Sequence, residues 1–166
     1  MAERRVQILM GSDSDAPTMK RVAEVLRDFG ISWHMTVASA HRSPDRVRQL
    51  VEEAPARGVR VFIVGAGAAA HLAGVVAAHS TLPVIGIPID SSPLKGWDAL
   101  LATVQMPPGV PVATVSVGTA GATNAAVLAA QILAVGDQRI AAALADYKEK
   151  LATMVEQAAA KVESAT

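Results

Sequence analysis

Residues 39–45 have the sequence Ser-Ala-His-Arg-Ser-Pro-Asp, and they separate an alternating apolar run, residues 33–38, from a helical pattern that begins near Pro44. Ser43 is a favourable N-cap residue, proline suits the first helical turn, and Asp45 suits the positive end of the helix dipole. A strand is therefore predicted to turn directly into a helix here. In open α/β proteins, turns of this kind lie at the carboxyl edge of a parallel sheet, where ligands bind.

His41 and Arg42 are the functional candidates on this turn. An imidazole that titrates near neutral pH beside a permanent cation is typical of proton transfer next to an anion. Taken alone, the dipeptide favours the ordinary alternative of a surface histidine and a solvated arginine. The functional interpretation therefore depends on the turns that follow the neighbouring strands.

The strand-to-helix alternation continues along the chain. The predicted strands are residues 6–10, 33–38, 61–64, 83–88 and 112–117. The predicted helices follow residue 15, run from 44 to about 57, end near 79, lie within 94–106, cover 122–135 and start near 137. Continuous apolar strands that alternate with helices indicate a parallel sheet covered on both faces. At 166 residues, the chain is predicted to be one α/β domain.

Composition and charge exclude several classes of protein. Apolar residues make up 51% of the chain but aromatic residues only 3%, which predicts a core of Ala, Val, Leu and Ile. Fifteen basic and fifteen acidic residues cancel, which argues against nucleic acid as the main partner. The absence of cysteine excludes disulfides and thiolate catalysis and fits a reducing cytosol. Residues 1–5 lead directly into a strand, and no uninterrupted apolar run has membrane-spanning length, so we expect a cytoplasmic protein without a membrane segment.

The helix predicted for residues 122–135 is apolar on nearly every side, and such a helix is expected to be buried all round. The final helix also carries more apolar surface than one sheet can cover. Large apolar patches usually mark interfaces, so the chain is predicted to form a homo-oligomer.

Residues 11–15, Gly-Ser-Asp-Ser-Asp, follow the first predicted strand. Backbone amides, two hydroxyls and a helix N-terminus suit a phosphate. Asp15 could instead accept hydrogen bonds from sugar hydroxyls, as acidic residues do in dinucleotide folds. The alternative is that Ser14 or Asp15 only caps the helix. The segment lacks the lysine of a Walker loop and does not match G-x-G-x-x-G.

Residues 65–72 follow the third predicted strand, and they combine a G-x-G segment with a run of alanines. Such small residues allow close backbone approach and line an apolar, water-poor pocket. His71 heads the next helix, where it can point to the same sheet edge or serve in packing or capping. His34 and His79 are expected to have ordinary structural roles.

Other catalytic signatures are missing from the sequence. No H-E-x-x-H spacing joins the histidines to a carboxylate, and no G-x-S-x-G elbow occurs. The turns together indicate acid/base chemistry without a cofactor on a small phosphorylated molecule.

Four motifs in this order resemble the class I N5-carboxyaminoimidazole ribonucleotide mutases of de novo purine biosynthesis. They are residues 11–15, 39–45, 65–72 and 105–112, and the similarity continues through Gly121-Ala122 and residues 124–126. The resemblance implies a three-layer α/β/α flavodoxin-like catalytic domain with a central parallel sheet. It also implies an octamer in which the C-terminal helix packs on neighbouring subunits, and a functional link to the upstream synthetase.

The resemblance further implies that a carboxylate moves from the exocyclic nitrogen of the aminoimidazole to ring carbon C4, without metal, nucleotide or biotin. His41 is then the general acid/base. The implied substrate-binding residues are Ser12, Ser14, Asp15, Ser39, Arg42, Gly67, Ala70, His71 and Leu72. Arg42 and the turn from Ser12 to Ser14 are assigned to the phosphate and Asp15 to the ribose, while the remaining residues form the wall around the base and the carbon dioxide.

This chain departs from the family pattern at three places. Ala68 replaces a typical Gly, Ala73 replaces a typical Pro, and Ala16-Pro17 stands where a bulky residue is usual. None of these changes removes a polar catalytic group, so activity is expected to survive.

Two alternatives remain open. One is the related class II aminoimidazole ribonucleotide carboxylase, which takes carbon dioxide directly, although residues 39–44 resemble class I more closely. The other is a non-catalytic flavodoxin-like module that binds a nucleotide or flavin. Such a module has no need of a titratable group at His41.

Overall fold

The computed structural model describes residues 5–165, and the prediction that residues 1–4 carry no targeting signal lies outside this range. Five parallel strands form one sheet in the order β2-β1-β3-β4-β5. The strands are β1 (Val6–Met10), β2 (Trp33–Val37), β3 (Val61–Gly67), β4 (Val84–Ile89) and β5 (Ala113–Thr114). The helices are α1 (Ala16–Asp28), α2 (Pro44–Glu53), α3 (Leu72–His79), α4 (Trp97–Val104), α5 (Gly118–Ala134) and α6 (Gln138–Glu163). The predicted α/β class with a central parallel sheet is confirmed.

Two helical layers cover the sheet because its central strands are apolar on both faces. In β3, Val61 and Ile63 pack toward α1 and α5, whereas Phe62 and Val64 pack toward α2, α3 and α4. All four side chains are buried. Alternating side chains of one strand thus contribute to both cores, which is why the strand sequence is continuously apolar.

The chain adds its strands first on one side of β1 and then on the other. It passes from β1 to β2 on one side, then returns to place β3 on the other side of β1. The final residue of β1, Met10, pairs with Val37 of β2 and with Gly65 of β3. The turns after these strands therefore start close together, at the switch point where open α/β sheets bind ligands.

Strand β5 is shorter than the run of residues 112–117 that was predicted. Only Ala113 and Thr114 pair with β4, and Val115 adds one more amide bond, to the Gly86 carbonyl at 3.1 Å. Helix α5 begins at Gly118 rather than at the predicted residue 122. The chain bends sharply before α5, so that a Cβ on Gly121 would lie 1.7 Å from the Ser116 carbonyl oxygen.

Helix α2 ends at Glu53 rather than near residue 57. Pro55 has no amide proton to donate to the carbonyl of Val51, so the α-helix cannot continue through it. Residues Pro55–Arg57 instead form one 3-10 turn.

Helix α5 is only partly buried, contrary to expectation. Its fully buried face consists of Ala122, Ala125, Ala126, Ala129 and Ala130. Side chains on its other faces are half-buried or exposed, and Val135, just beyond its end, is 89% exposed. A helix that lies on a sheet is covered only where the sheet and neighbouring helices reach it.

Helix α6 packs on α5 only through its first half. Ile140 is fully buried, and Tyr147 contacts Phe29 edge to face at 5.4 Å between ring centroids. From Leu151 onward every described residue is exposed. Among the helices of residues 5–165, none combines the length and apolar character needed to cross a membrane.

Candidate active site

The turn between β2 and α2 is closed by two serines. The Ser43 amide donates to the Ser39 carbonyl at 2.9 Å, and the Ser39 amide donates to Ser43 Oγ at 3.0 Å. The Ser43 hydroxyl also donates to the Ser39 carbonyl at 3.2 Å. Ser43 therefore occupies the N-cap position but makes no side-chain cap bond, which corrects its predicted capping role. The closed turn leaves His41 and Arg42 exposed at the sheet edge.

Arg42 connects this turn to the end of β1. Its amide donates to Ser39 Oγ at 3.2 Å, and its guanidinium donates to the Gly11 carbonyl at 3.2 Å. The second bond uses one of the five guanidinium N–H groups. The side chain is exposed, so further N–H groups can reach an anion in front of the turn after β1.

Residues 12–15 form a capping box around one 3-10 turn. The Ser12 amide donates to Asp15 Oδ2 at 3.3 Å, and the Ser14 amide donates to Ser12 Oγ at 3.3 Å. Asp15 thus accepts a hydrogen bond within this 3-10 turn but makes no side-chain cap bond with α1, and the capping hydroxyl of the turn belongs to Ser12 rather than Ser14. The Ser14 hydroxyl lies 2.9 Å from Ser12 Oγ, so both hydroxyls meet at one point.

Asp15 is a buried acid at the cavity wall. Burial raises the pKa of its carboxyl above the usual 3.8, the Ser12 amide opposes this shift, and the charge of Asp13 adds to it. A desolvated carboxylate gains from additional hydrogen-bond donors. Sugar hydroxyls are donors of the required kind.

His41 and His71 come from different strand ends and form a direct pair. His41 Nε2 lies 2.7 Å from His71 Nδ1, and the two rings meet edge to face at 78°. One of these two nitrogens donates a proton to the hydrogen bond and the other accepts it, so the accepting nitrogen carries no proton of its own. His71 makes no side-chain cap bond with α3. Its position therefore fits a role in the cavity better than a capping role.

The floor of the cavity is built from apolar residues between the end of β3 and the start of α3. Ala66, Ala70 and Leu72 are buried there and line a cavity of about 190 Å³. Every residue predicted for the site lines this one cavity. The chemical roles assigned to those residues remain predictions. His34 and His79 lie outside it, and His34 Nδ1 instead lies 3.2 Å from Gln7 Oε1.

Ser91 also lines the cavity, and the sequence reasoning missed it. It lies directly beyond β4, in a stretch that looked irregular. The signal that identified the other residues applies here too, since the turn after every parallel strand reaches the same sheet edge.

The motif at residues 105–107 does not line the cavity of this chain. Met106 instead lies beside α3, where a Cβ on Gly74 would be 3.1 Å from its sulfur. Within residues 5–165, no group of three or more histidine or acidic side chains is placed to hold a metal ion.

Two alanines in the floor have a left-handed backbone. Ala68 has φ of 52° and Ala70 has φ of 46°. This conformation costs an L-residue roughly 1–2 kcal/mol, whereas glycine adopts it freely. Ala68 is thus strained at the position where the resembling family typically has Gly.

We expect Ala68→Gly to raise the free energy of unfolding by about 1 kcal/mol, because the relief of strain exceeds the entropy that glycine adds to the unfolded chain. Ala69→Gly is the matched control, since Ala69 is exposed and is not among the residues with positive φ. Glycine there should lower stability slightly. Urea unfolding at equal protomer concentration measures both, and equal effects of the two variants would contradict the assignment of strain.

Comparisons with known proteins agree with this architecture. The AIR carboxylase family profile matches residues 5–154. The N5-carboxyaminoimidazole ribonucleotide mutase of Thermotoga maritima is 50% identical over 159 residues, which are 96% of this chain and 92% of the relative. The mutase of Bacillus subtilis is 51% identical over 144 residues, 87% of this chain and 89% of the relative. A crystal structure of Treponema denticola PurE superimposes with a TM-score of 0.86 at 31% identity, covering 95% and 98% of the two chains. The resemblance inferred from the motifs and the flavodoxin-like fold are both confirmed.

Proposed function

The chain belongs to the AIR carboxylase family, and we propose that it is an N5-carboxyaminoimidazole ribonucleotide mutase of de novo purine biosynthesis. The observation that carries the proposal is the meeting of three strand-end turns around one cavity. They contribute anion-binding groups, a histidine pair and an apolar floor.

The phosphate and ribose of the substrate bind on the side of β1 and β2. The Arg42 guanidinium and the hydroxyls of Ser12 and Ser14 hold the phosphate, because charge-assisted hydrogen bonds favour a dianion there. Asp15 accepts from the ribose hydroxyls, which replace the water that its burial has removed. Ser39 holds the turn that carries Arg42.

The aminoimidazole lies against the floor, with His41 at its edge. As the bond between the exocyclic nitrogen and the carboxyl carbon breaks, His41 donates a proton to that nitrogen and carbon dioxide is released. Ring carbon C4 then attacks the carbon dioxide, and His41 takes the proton that C4 loses. The proton balance closes within one turnover, so no external acid or base is consumed.

His71 orients His41 through their 2.7 Å hydrogen bond. A neutral imidazole carries one proton and one lone pair, and its hydrogen-bond partner decides which nitrogen holds the proton. His71 is thus a positioning residue as well as a part of the wall around the base.

Gly67, Ala70 and Leu72 form the cage for carbon dioxide. Ala70 and Leu72 are buried and offer only alkyl groups. Such a surface excludes water and keeps the gas beside C4, so recombination competes with escape.

Purified protein should convert N5-carboxyaminoimidazole ribonucleotide to the 4-carboxy isomer without bicarbonate. The class II alternative predicts the opposite preference, with efficient turnover of aminoimidazole ribonucleotide in bicarbonate-rich buffer. Measuring both reactions with one preparation distinguishes them, and preferential use of bicarbonate would overturn the proposed mutase.

The active protein is a homo-oligomer, and the resemblance to the family implies an octamer. The C-terminal helix packs on neighbouring subunits. The support is apolar surface that one chain leaves uncovered. Trp97 in α4 is 67% exposed, and Met154 in α6 is 64% exposed. Other exposed apolar side chains lie near each of them. They are Leu94, just before α4, with Leu101 and Val104 in α4, and Leu151, Val155 and Val162 in α6.

Size-exclusion chromatography with light scattering should therefore give a mass several times 17.1 kDa and independent of dilution in the micromolar range. A stable monomer would contradict the assembly.

We further propose that the enzyme acts in the cytoplasm and is functionally coupled to the synthetase that supplies its substrate.

A further inference from the structure

Ser91 approaches the cavity from the side opposite the histidine turn. In the sheet order, β2 lies on one side of β1 and β3, whereas β4 lies on the other. His41 and Arg42 follow β2, and Ser91 follows β4. Ser91 therefore reaches the cavity from the β4 side, whereas the candidate acid/base reaches it from the β2 side.

The Ser91 hydroxyl is held close to the end of β3. A Cβ built on Gly67 would lie 1.8 Å from Ser91 Oγ and 3.1 Å from Ser91 Cβ. Only the missing side chain at position 67 lets the hydroxyl lie there. Gly67 is half-buried and part of the floor assigned to the base. The hydroxyl is thus placed where the ring and its carboxyl substituent lie in the proposed function.

The hydroxyl is also available for a ligand. Within residues 5–165, Ser91 Oγ has no hydrogen-bond partner, and the residue is exposed toward the cavity. The hydroxyl of the next residue differs, since Ser92 Oγ accepts from the Leu94 amide at 3.1 Å and is not part of the cavity.

We propose that the Ser91 hydroxyl donates a hydrogen bond to the carboxylate that is transferred, an inference that rests on the proposed function of the site. A neutral donor suits this step because the group alternates between an anion and neutral carbon dioxide. A cation would hold the anion too firmly and oppose its release, whereas a hydroxyl stabilises the carboxylate and still lets the gas form.

The test compares two nucleotides that differ only in the carboxylate. Hydrogen bonds to charged groups contribute about 1.5–3 kcal/mol, so Ser91→Ala should weaken binding of 4-carboxy-5-aminoimidazole ribonucleotide about 10- to 100-fold. Its affinity for aminoimidazole ribonucleotide, which lacks the carboxylate, should stay within about threefold of the wild-type value. Isothermal titration measures both, and Ser92→Ala, expected to bind both nucleotides normally, controls for a disturbed loop.

Gly67→Ala supplies a second variant, because its methyl group must displace the hydroxyl. Gly67 also belongs to the floor assigned to the base, so Gly67→Ala is expected to weaken binding of both nucleotides. Adding Ser91→Ala to it should lower the affinity for the carboxylated nucleotide little further, since both changes remove one contact. Equal effects of Ser91→Ala on the two nucleotides, or none on either, would overturn the role of Ser91 while the mutase proposal stands. If the wild-type protein binds neither nucleotide, the proposed function itself fails.

Discussion

His41→Asn should lower kcat for the isomerisation by roughly 10²- to 10⁴-fold, the range that general acid–base catalysis contributes. Asparagine has a similar size and can still hydrogen-bond to His71, but it cannot exchange a proton near neutral pH. The residues assigned to phosphate and ribose remain, so substrate affinity should change only a few-fold. Steady-state kinetics and titration with the nucleotide product separate the two effects.

His79→Asn is the matched control for this variant. His79 is an exposed histidine at the end of α3, outside the cavity, and its replacement should leave kcat unchanged. Activity of His41→Asn within a few-fold of wild type would show that His41 is not the acid/base. Such a result would favour the alternative of a binding module, which has no need of a titratable group there.

Arg42→Ala should raise KM about 10- to 100-fold with a smaller change in kcat. The physical reason is the loss of a charge-assisted bond to the phosphate, which contributes about 1.5–3 kcal/mol. The interaction exists in both the ground state and the transition state, so its loss acts mainly on binding. Removal of the guanidinium also breaks its 3.2 Å bond to the Gly11 carbonyl, which links the turns after β1 and β2.

Arg48→Ala removes the same charge from α2, the helix that follows the turn carrying Arg42, without touching the cavity. Arg48 is exposed and pairs with Asp45 at 3.7 Å, an ion pair of little energetic weight on the surface. A comparable rise in KM for both arginine variants would point to a general effect of charge. An unchanged KM in Arg42→Ala would rule out the phosphate role.

Much of the candidate site was predictable because parallel strands impose one rule on all their turns. A buried strand such as residues 61–64 is recognisable as a short apolar run, and every such run ends at the same sheet edge. Turns with chemistry-bearing residues therefore had to converge. Ser91 was missed because the loop after β4 has no periodic pattern, even though the same rule places it at the edge.

Other features depend on distances between segments far apart in the chain. The direct contact of His41 with His71 joins residues 30 positions apart, and the sequence of neither turn indicates it. The pairing of β5 with β4 covers only two residues, and the apolar run of residues 112–117 does not indicate where that pairing stops. Ser43 makes no cap bond with α2, because its hydroxyl is already used by the amide and the carbonyl of Ser39.

Local chemistry along the chain was therefore sufficient to determine the order of strands and helices, the parallel sheet and the residues at its carboxyl edge. Apolar periodicity and turn residues act over a few positions, so their consequences are visible in the sequence itself. Only the tertiary structure decided which side chains touch, as in the imidazole pair and the serine held over Gly67. It also decided the left-handed backbone of Ala68. Those contacts arise from the packing of separate segments to within a few tenths of an ångström, and no local pattern encodes such distances.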